Sequence, residues 1–274
     1  MSRLAIATLC LLLSAGAAAN ELPRIVTLGA AATETAFALG AGDQVVAVDD
    51  PSLWPPAAQS LPKVGYYRSL NAEGVLSLRP DRIMGTDQVG PPPVVRQLRG
   101  AGVAMDLLPT PRSEQELMDL FAALGQQLGA ETQQVAELQQ SVRRQIQQAR
   151  EHSGERSPRV LLLMGGAQGL LAAGQDTAAA LMLELVGARN AVDFVHYKPA
   201  SAEALLGLAP EAIVIATRGP QDAQSLERLR QHPALAQSPA VAANRLLVMD
   251  AGLLLGLGPR TGEAALQLAR QLNP

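Results

Sequence analysis

Short apolar runs separated by glycine and proline turns alternate along the chain with stretches whose apolar residues recur at helical spacing. This alternation predicts parallel strands connected by helices. The predicted strands lie at residues 24–28, 44–48, 82–84, 103–107, 159–164, 212–216 and 246–248. The predicted helices cover residues 33–39, 91–100, 177–186 and 263–272, with a short one between Asn71 and Pro80 and another marked by Leu226 and Leu229. The predicted fold class is α/β, with helices around central, mostly parallel sheets.

An internal repeat divides this pattern into two halves. Residues 64–86 read VGYYRSLNAEGVLSLRPDRIMGT, and residues 196–217 read HYKPASAEALLGLAPEAIVIAT. The two stretches align without a gap, so that Tyr67 falls on Tyr197 and Glu73 falls on Glu203. The chain is therefore predicted to contain two similar halves, each presenting a polar loop and an exposed glutamate.

A long helix is predicted between the halves. Ser113 and Glu116 have the spacing of a capping box, the pattern pauses near Gly129, and apolar residues then recur up to about Glu151. One narrow apolar stripe on a polar helix is typical of a strut between domains, and a coiled-coil dimer segment is the alternative. We predict an N-terminal lobe at residues 20–128, a linker helix at 129–152 and a C-terminal lobe at 153–274.

The first nineteen residues have the pattern of a secretory signal peptide. Arg3 precedes an apolar segment at residues 4–13, and the small residues 17–19 follow it. This pattern predicts export to the periplasm with cleavage near Ala19, and a buried N-terminal helix is the alternative. The only cysteine, Cys10, lies inside this segment, so the mature chain would have neither a disulfide nor a thiolate metal site.

Composition and motifs argue against several functions. The net charge of −3 gives no basic surface for nucleic acid. The sequence has no Gly-x-Ser-x-Gly, no phosphate-binding loop and no HExxH zinc motif, and it contains only three histidines. Because no catalytic set can be assembled, we expect a binding protein and not an enzyme.

The candidate binding residues lie in two predicted loops at the carboxyl ends of strands, where α/β proteins bind ligands. One loop contains Tyr66, Tyr67 and Arg68, and its counterpart in the repeat contains His196, Tyr197 and Lys198. A tyrosine phenolate can bind ferric iron, as in some haem proteins, when a nearby cation favours its ionised form. Arg68 and Arg218 are the candidate cations. The alternatives are that the tyrosines are packing residues and that His196 is a surface histidine.

The segment GYYRSLNAEGVLSLRPD, with AAGQDTAAALMLELVGARNAV and GPRTGEAAL, resembles the haem-binding periplasmic proteins of bacterial haem-uptake ABC transporters. These are similar in turn to vitamin B12 and ferric-siderophore binding proteins. The resemblance implies a class III periplasmic binding protein, with two Rossmann-like lobes joined by one long helix. It also implies that ferric haem binds in the interdomain cleft and passes to an inner-membrane ABC permease with its ATPase. An outer-membrane haem receptor would be a candidate upstream donor.

The same resemblance implies roles for individual residues. The family's axial tyrosine falls on Tyr66, although the internal repeat pairs Tyr67 with Tyr197, and the family's arginines fall on Arg68 and Arg218. Glu73 and Glu203 match the glutamates by which the vitamin B12 binder docks onto its permease, and the alternative is that they only stabilise helix starts. Some members add a histidine in the loop that falls on residues 164–168, which contain none here. We therefore expect one five-coordinate haem, with a corrinoid, a ferric siderophore or a haem-modifying activity as the alternatives.

Overall fold

The computed structural model describes residues 22–166, 169–200, 207–217 and 238–273, which form two β-sheets flanked by helices. The first sheet is entirely parallel, with strand order β2-β1-β3-β4. Its strands are β1 (Ile25–Thr27), β2 (Val45–Val48), β3 (Arg82–Thr86) and β4 (Ala104–Leu108). Its helices are α1 (Ala30–Ala38), α2 (Pro56–Gln59), α3 (Ala72–Ser77) and α4 (Pro92–Gly100). The four strands confirm the sequence prediction; the apolar runs of β1, β2 and β3 are largely buried, whereas β4, at the margin of the sheet, is only partly buried.

Two consecutive helices connect the sheets, and both contribute to the cores of both lobes. These are α5 (Glu114–Leu128) and α6 (Thr132–Ser153), separated at Gly129, where φ is 69° and a left-handed turn ends α5. The predicted pause at Gly129 is thus a complete break. Val135 of α6 packs in the N-terminal core, whereas Val142 and Ile146 pack in the C-terminal core. The long linker helix is confirmed, and the exact lobe boundaries stay a prediction.

The second sheet is mixed. It has the strand order β10-β9-β5-β6-β8, with β7 also paired to β5. Its strands are β5 (Arg159–Gly166), β6 (Gly169–Ala173), β7 (Arg189–Asn190), β8 (Tyr197–Pro199), β9 (Ala212–Thr217) and β10 (Leu246–Asp250). Its helices in the described ranges are α7 (Ala178–Leu185), α8 (Pro239–Ala242), α9 (Ala251–Leu255) and α10 (Thr261–Leu272). The helix predicted near Leu226 and Leu229 lies outside the described residues.

The loop that the family resemblance placed on residues 164–168 is shorter than expected, because strand β5 continues to Gly166. This strand pairs antiparallel with β6, which in turn pairs antiparallel with β8. A glycine can remain within a strand when a neighbouring strand pairs with it and with the residues before and after it. The predicted loop around Tyr197 is wrong, since Tyr197 begins strand β8 and pairs with Ala173.

Helix α10 lies close against α6 and fixes the C-terminal lobe to the linker. A Cβ atom at Gly262 would lie 2.5 Å from Gln145 Oε1 and 2.9 Å from the backbone oxygen of Val142. Only glycine therefore allows the two helices to approach this closely. Within the described ranges, no helix combines the length and the apolar character that crossing a membrane requires.

Candidate ligand-binding site

A tight turn presents Tyr66, Tyr67 and Arg68 at the carboxyl end of the first sheet. The segment before it runs beside β2, because the amide of Asp50 donates to the carbonyl of Gly65 at 2.9 Å. Gly65 has φ of +86°, a conformation that glycine adopts without strain. The amide of Ser69 donates to the carbonyl of Tyr66 at 2.8 Å and closes the turn.

The loop that follows β3 holds this turn in place. The amide of Gly90 donates to the carbonyl of Tyr67 at 2.9 Å, and the amide of Leu70 donates to the carbonyl of Gly90 at 3.0 Å. Tyr67 also packs against the apolar core of the N-terminal lobe. The backbone that carries the candidate ligands is therefore anchored on two sides, and its position is set by the sheet.

The three side chains of the turn contact one another. The rings of Tyr66 and Tyr67 are 4.8 Å apart between centroids and inclined at 59°. Arg68 Nε donates to the hydroxyl of Tyr67 at 3.2 Å, and its guanidinium carbon lies 5.4 Å from the centre of the Tyr67 ring. A fixed positive charge therefore lies beside the phenol groups.

Tyr197 brings a third phenol from the C-terminal lobe. It packs against the apolar core of that lobe and shares a hydrogen bond with Thr177. Burial raises the pKa of Tyr197, and the charge of Arg68 acts in the opposite direction. Arg68 is thus close enough to interact electrostatically with tyrosines of both lobes.

Burial also raises the pKa of Tyr67, to about 12, although the charge and the hydrogen bond of Arg68 oppose the rise. The shared hydrogen bond with Tyr66 contributes to the increase. A phenol with this pKa keeps its proton in neutral solution. Tyr67 is therefore placed as a neutral neighbour in the cluster and less well as a phenolate ligand.

The other predicted site residues are separate from this cluster or lie outside the described residues. The side chain of His196 is exposed, and its backbone, at φ +64°, exchanges hydrogen bonds with residues 174 and 175. Glu73 is exposed in the first turn of α3, where its amide donates to Asn71 Oδ1 at 2.9 Å. Arg218 and Glu203 lie outside the described residues.

Sequence reasoning missed a second group of residues, which joins the lobes. Arg260, just before α10, donates from Nε and Nη2 to Glu34 Oε1 of α1, at 3.1 Å and 2.6 Å. The guanidinium also lies 4.9 Å from the ring centre of Trp54. Burial raises the pKa of Glu34, and the bonds and charge of Arg260 oppose this. The available signals were a glutamate inside an apolar helix and the only tryptophan of a chain with 3% aromatic residues.

A buried chain of polar side chains supports the loop before Trp54. Thr27 and Thr33 share a hydrogen bond at 2.8 Å between hydroxyls, Thr33 and Ser52 share one at 2.7 Å, and Ser52 Oγ donates to Asp49 Oδ1 at 2.5 Å. Burial raises the pKa of Asp49 to about 6, because the carboxylate form loses its hydration. Lys63 Nζ donates to the carbonyl of Ser52 at 3.0 Å.

These features suit a tetrapyrrole with a central iron. A phenolate supplies an oxygen ligand to ferric iron, and a guanidinium can bind the propionates or favour the phenolate. Among the described residues, no three His, Cys, Asp or Glu side chains come together as a metal site.

Comparison with known proteins finds relatives that cover most of the chain. The model of the periplasmic binding protein family matches residues 25–253. A periplasmic haem-binding protein from Pseudomonas aeruginosa has a solved structure that is 40% identical, with a TM-score of 0.82, and the match covers 92% of both chains. The periplasmic haem-binding protein BhuT, solved with two haems, is 38% identical, with a TM-score of 0.82 and coverage of 91% of this chain and 97% of that one.

A curated relative of a different ligand class also matches. The vitamin B12-binding protein of Pectobacterium carotovorum is 30% identical over 265 residues, which are 93% of this chain and 91% of the relative. The fold alone therefore does not separate a haem from a corrinoid, and the distinction depends on the side chains of the cleft.

Proposed function

The chain belongs to the periplasmic binding protein family, and we propose that it binds haem between its two lobes and delivers it to an inner-membrane ABC permease. The observation that carries the proposal is the turn of Tyr66, Tyr67 and Arg68, whose guanidinium interacts electrostatically with Tyr197 of the other lobe. Solved haem-binding proteins of the same fold support it, with up to 40% identity among those described above. The relatives are binding proteins, and we propose no catalytic step for this chain.

Within this function, Tyr66 is the axial ligand to ferric iron. Arg68 keeps a positive charge beside the phenols and the haem propionates, and Arg218 is the proposed second cation. Burial raises the pKa of both Tyr67 and Tyr197, which favours the protonated phenol in each. As neutral phenols they can donate hydrogen bonds to the ligand. His196 lies in the segment before Tyr197 and is proposed to face the ligand from the C-terminal lobe.

The route of the ligand follows from the same proposal. Residues 1–19 act as a signal peptide cleaved near Ala19, and the lobes at 20–128 and 153–274 flank the linker at 129–152. Haem reaches the protein in the periplasm, with an outer-membrane haem receptor as the upstream donor. Glu73 and Glu203 dock one lobe each onto the two permease subunits, with the ATPase on the cytoplasmic side. Charges at the edge of such an interface chiefly set encounter rate and orientation.

A corrinoid is the second candidate ligand, because the vitamin B12-binding relative covers nearly the whole chain. The tyrosine and arginine cluster favours haem, since a corrin already holds its cobalt in its own ligands and needs no phenolate from the protein. A ferric siderophore likewise saturates its iron and would need cations and aromatic contacts only.

The deciding experiment titrates the mature protein separately with haem, cyanocobalamin and a ferric siderophore. We expect haem to bind with the highest affinity, at one haem per protein, and to give a Soret band that is much weaker and shifted in Tyr66→Phe. Tighter binding of cyanocobalamin would overturn the assignment of haem, and a stoichiometry of two would overturn the single-haem expectation. Consumption of bound haem after addition of a reductant would indicate an enzyme.

A further inference from the structure

An exposed apolar pair stands on the rim of the first sheet, outside the tyrosine cluster. Leu53 is 53% exposed, and Trp54, the only tryptophan of the chain, is 45% exposed. Large apolar side chains that remain exposed together on a loop often mark a binding surface. Here the pair lies at the same end of the sheet as Tyr66, because the amide of Asp50 is bonded to the carbonyl of Gly65.

The loop that carries this pair is held by side chains from several directions. The side chain of Ser52 is bonded to the buried Asp49, and its carbonyl accepts from Lys63 Nζ at 3.0 Å. Gln59 Nε2 donates to the carbonyl of Leu53 at 2.8 Å. The backbone is therefore fixed immediately before the indole, although the indole itself stays largely open.

The opposite lobe fixes the ring. The guanidinium of Arg260 lies over the indole of Trp54 at 4.9 Å and is bonded twice to Glu34, which is only 5% exposed. The loop before Arg260 leaves no spare space, since a Cβ at Gly258 would lie 2.8 Å from Glu34 Oε2 and 3.2 Å from the carbonyl of Ala30. Two lobes thus converge on one indole, with a planar cation on one face and open space beside it.

We propose that Trp54 is a wall for the flat face of the tetrapyrrole, and that Arg260 and Glu34 are positioning residues which fix its ring. The inference rests on the proposed function and adds a contact that recognises the macrocycle independently of its iron. Aromatic rings stack on flat conjugated surfaces with a modest gain beyond the area that they bury. The ring can serve this purpose only while its orientation is held, which is the role of the guanidinium.

The first experiment compares haem with metal-free protoporphyrin IX, because the latter has no iron for a tyrosine to bind. We expect Trp54→Ala to weaken both porphyrins by a similar factor, about 3- to 10-fold. Tyr66→Phe should weaken haem only. Leu22→Ala is the matched control, since Leu22 is also exposed, at 58%, and precedes the first strand; it should change neither affinity.

The second experiment tests positioning by a double-mutant cycle. Arg260→Lys keeps the charge toward Glu34 but removes the planar group over the indole, and we expect it to lower protoporphyrin IX affinity by about the same factor as Trp54→Ala. The loss should vanish when Trp54 is already alanine. Arg112→Ala is the control, because Arg112 forms a more exposed ion pair between the lobes, with Asp176 at 3.7 Å, and it should leave porphyrin affinity unchanged.

Tryptophan fluorescence tests the positioning role without any ligand, because Trp54 is the only tryptophan of the chain. Arg260→Lys should make its emission easier to quench with acrylamide, and unchanged quenching would overturn the positioning role. If Trp54→Ala left the affinity for protoporphyrin IX unchanged while the parent still bound haem, the proposed contact of Trp54 with the tetrapyrrole would be rejected and the proposed function would remain. If the parent bound neither porphyrin, the proposed function would fall together with the wall.

Discussion

The choice between two adjacent tyrosines as the iron ligand can be tested by removing one hydroxyl at a time. Tyr66→Phe and Tyr67→Phe are matched variants, because each keeps the ring and the 4.8 Å contact between the two rings. We expect Tyr66→Phe to lose most of the haem affinity, and Tyr67→Phe to lose much less. The physical reason is that ligation requires a phenolate, and the surroundings of Tyr67 oppose its formation.

The size of the difference follows from the pKa of Tyr67. Burial raises this pKa to about 12 from an ordinary value of 10.0. Since one pKa unit corresponds to about 1.36 kcal/mol, the phenolate of Tyr67 is harder to form by roughly 3 kcal/mol, or about 100-fold. Tyr67 is therefore a poor replacement ligand, and Tyr66→Phe should lose most of the haem affinity. Tyr67→Phe removes one hydrogen bond from Arg68 and should cost about 10-fold at most.

Haem titration followed in the Soret region measures both effects, with the melting temperature as a control for folding. In Tyr67→Phe the Soret band should keep the position that it has in the parent, because the iron ligand is unchanged. In Tyr66→Phe the band of the residual complex should move. A loss in Tyr67→Phe that equalled or exceeded the loss in Tyr66→Phe would refute the reasoning from burial and favour the tyrosine that the internal repeat selects.

Three further predictions concern charge. Arg68→Ala should weaken haem binding and shift its loss to higher pH, because a positive charge beside a phenol favours the phenolate that binds iron; a pH profile like that of the parent would contradict this. Glu73→Ala with Glu203→Ala should leave the haem spectrum and melting temperature nearly intact but sharply reduce uptake by the reconstituted transporter, and normal uptake would leave both as helix-end residues. The free energy of unfolding of the parent should fall by roughly 3 kcal/mol between pH 4 and 7, because burial raises the pKa of Asp49 from 3.8 to about 6 and the folded protein therefore favours the protonated carboxyl. Asp49→Asn should abolish this decrease. Urea unfolding at both pH values measures this decrease, and an equal change in the free energy of unfolding in parent and variant would exclude the effect.

Local signals in the sequence were sufficient for most elements of the fold. Asn71 caps α3 as predicted, with its side chain accepting from the amides of Glu73 and Gly74. Ser113 caps α5, but the carboxylate of Glu116 accepts from the amide of Arg112, so only one arm of the predicted capping box forms. Such features are predictable because their partners lie within one helical turn of each other.

Features that depend on distant partners were not predictable. The pairing of Glu34 with Arg260 joins residues 226 positions apart, and no local pattern indicates it. Strands β6 and β8 were missed because glycines and short polar segments look like loops until a neighbouring strand supplies hydrogen bonds. The repeat pairs Tyr67 with Tyr197, and both phenols interact electrostatically with Arg68, although Tyr67 lies in a turn and Tyr197 begins a strand.

Strand β8 ends the order of the second sheet as the structure describes it, and this place carries a risk of aggregation. A strand at a sheet margin offers unpaired backbone groups to any extended chain, and proteins discourage such pairing with lysine and proline. Lys198 and Pro199 directly follow Tyr197 in this strand. Lys198 is charged and exposed, and Pro199 has no amide hydrogen to donate. The strand that carries Tyr197 is thereby a poor template for pairing with a second copy.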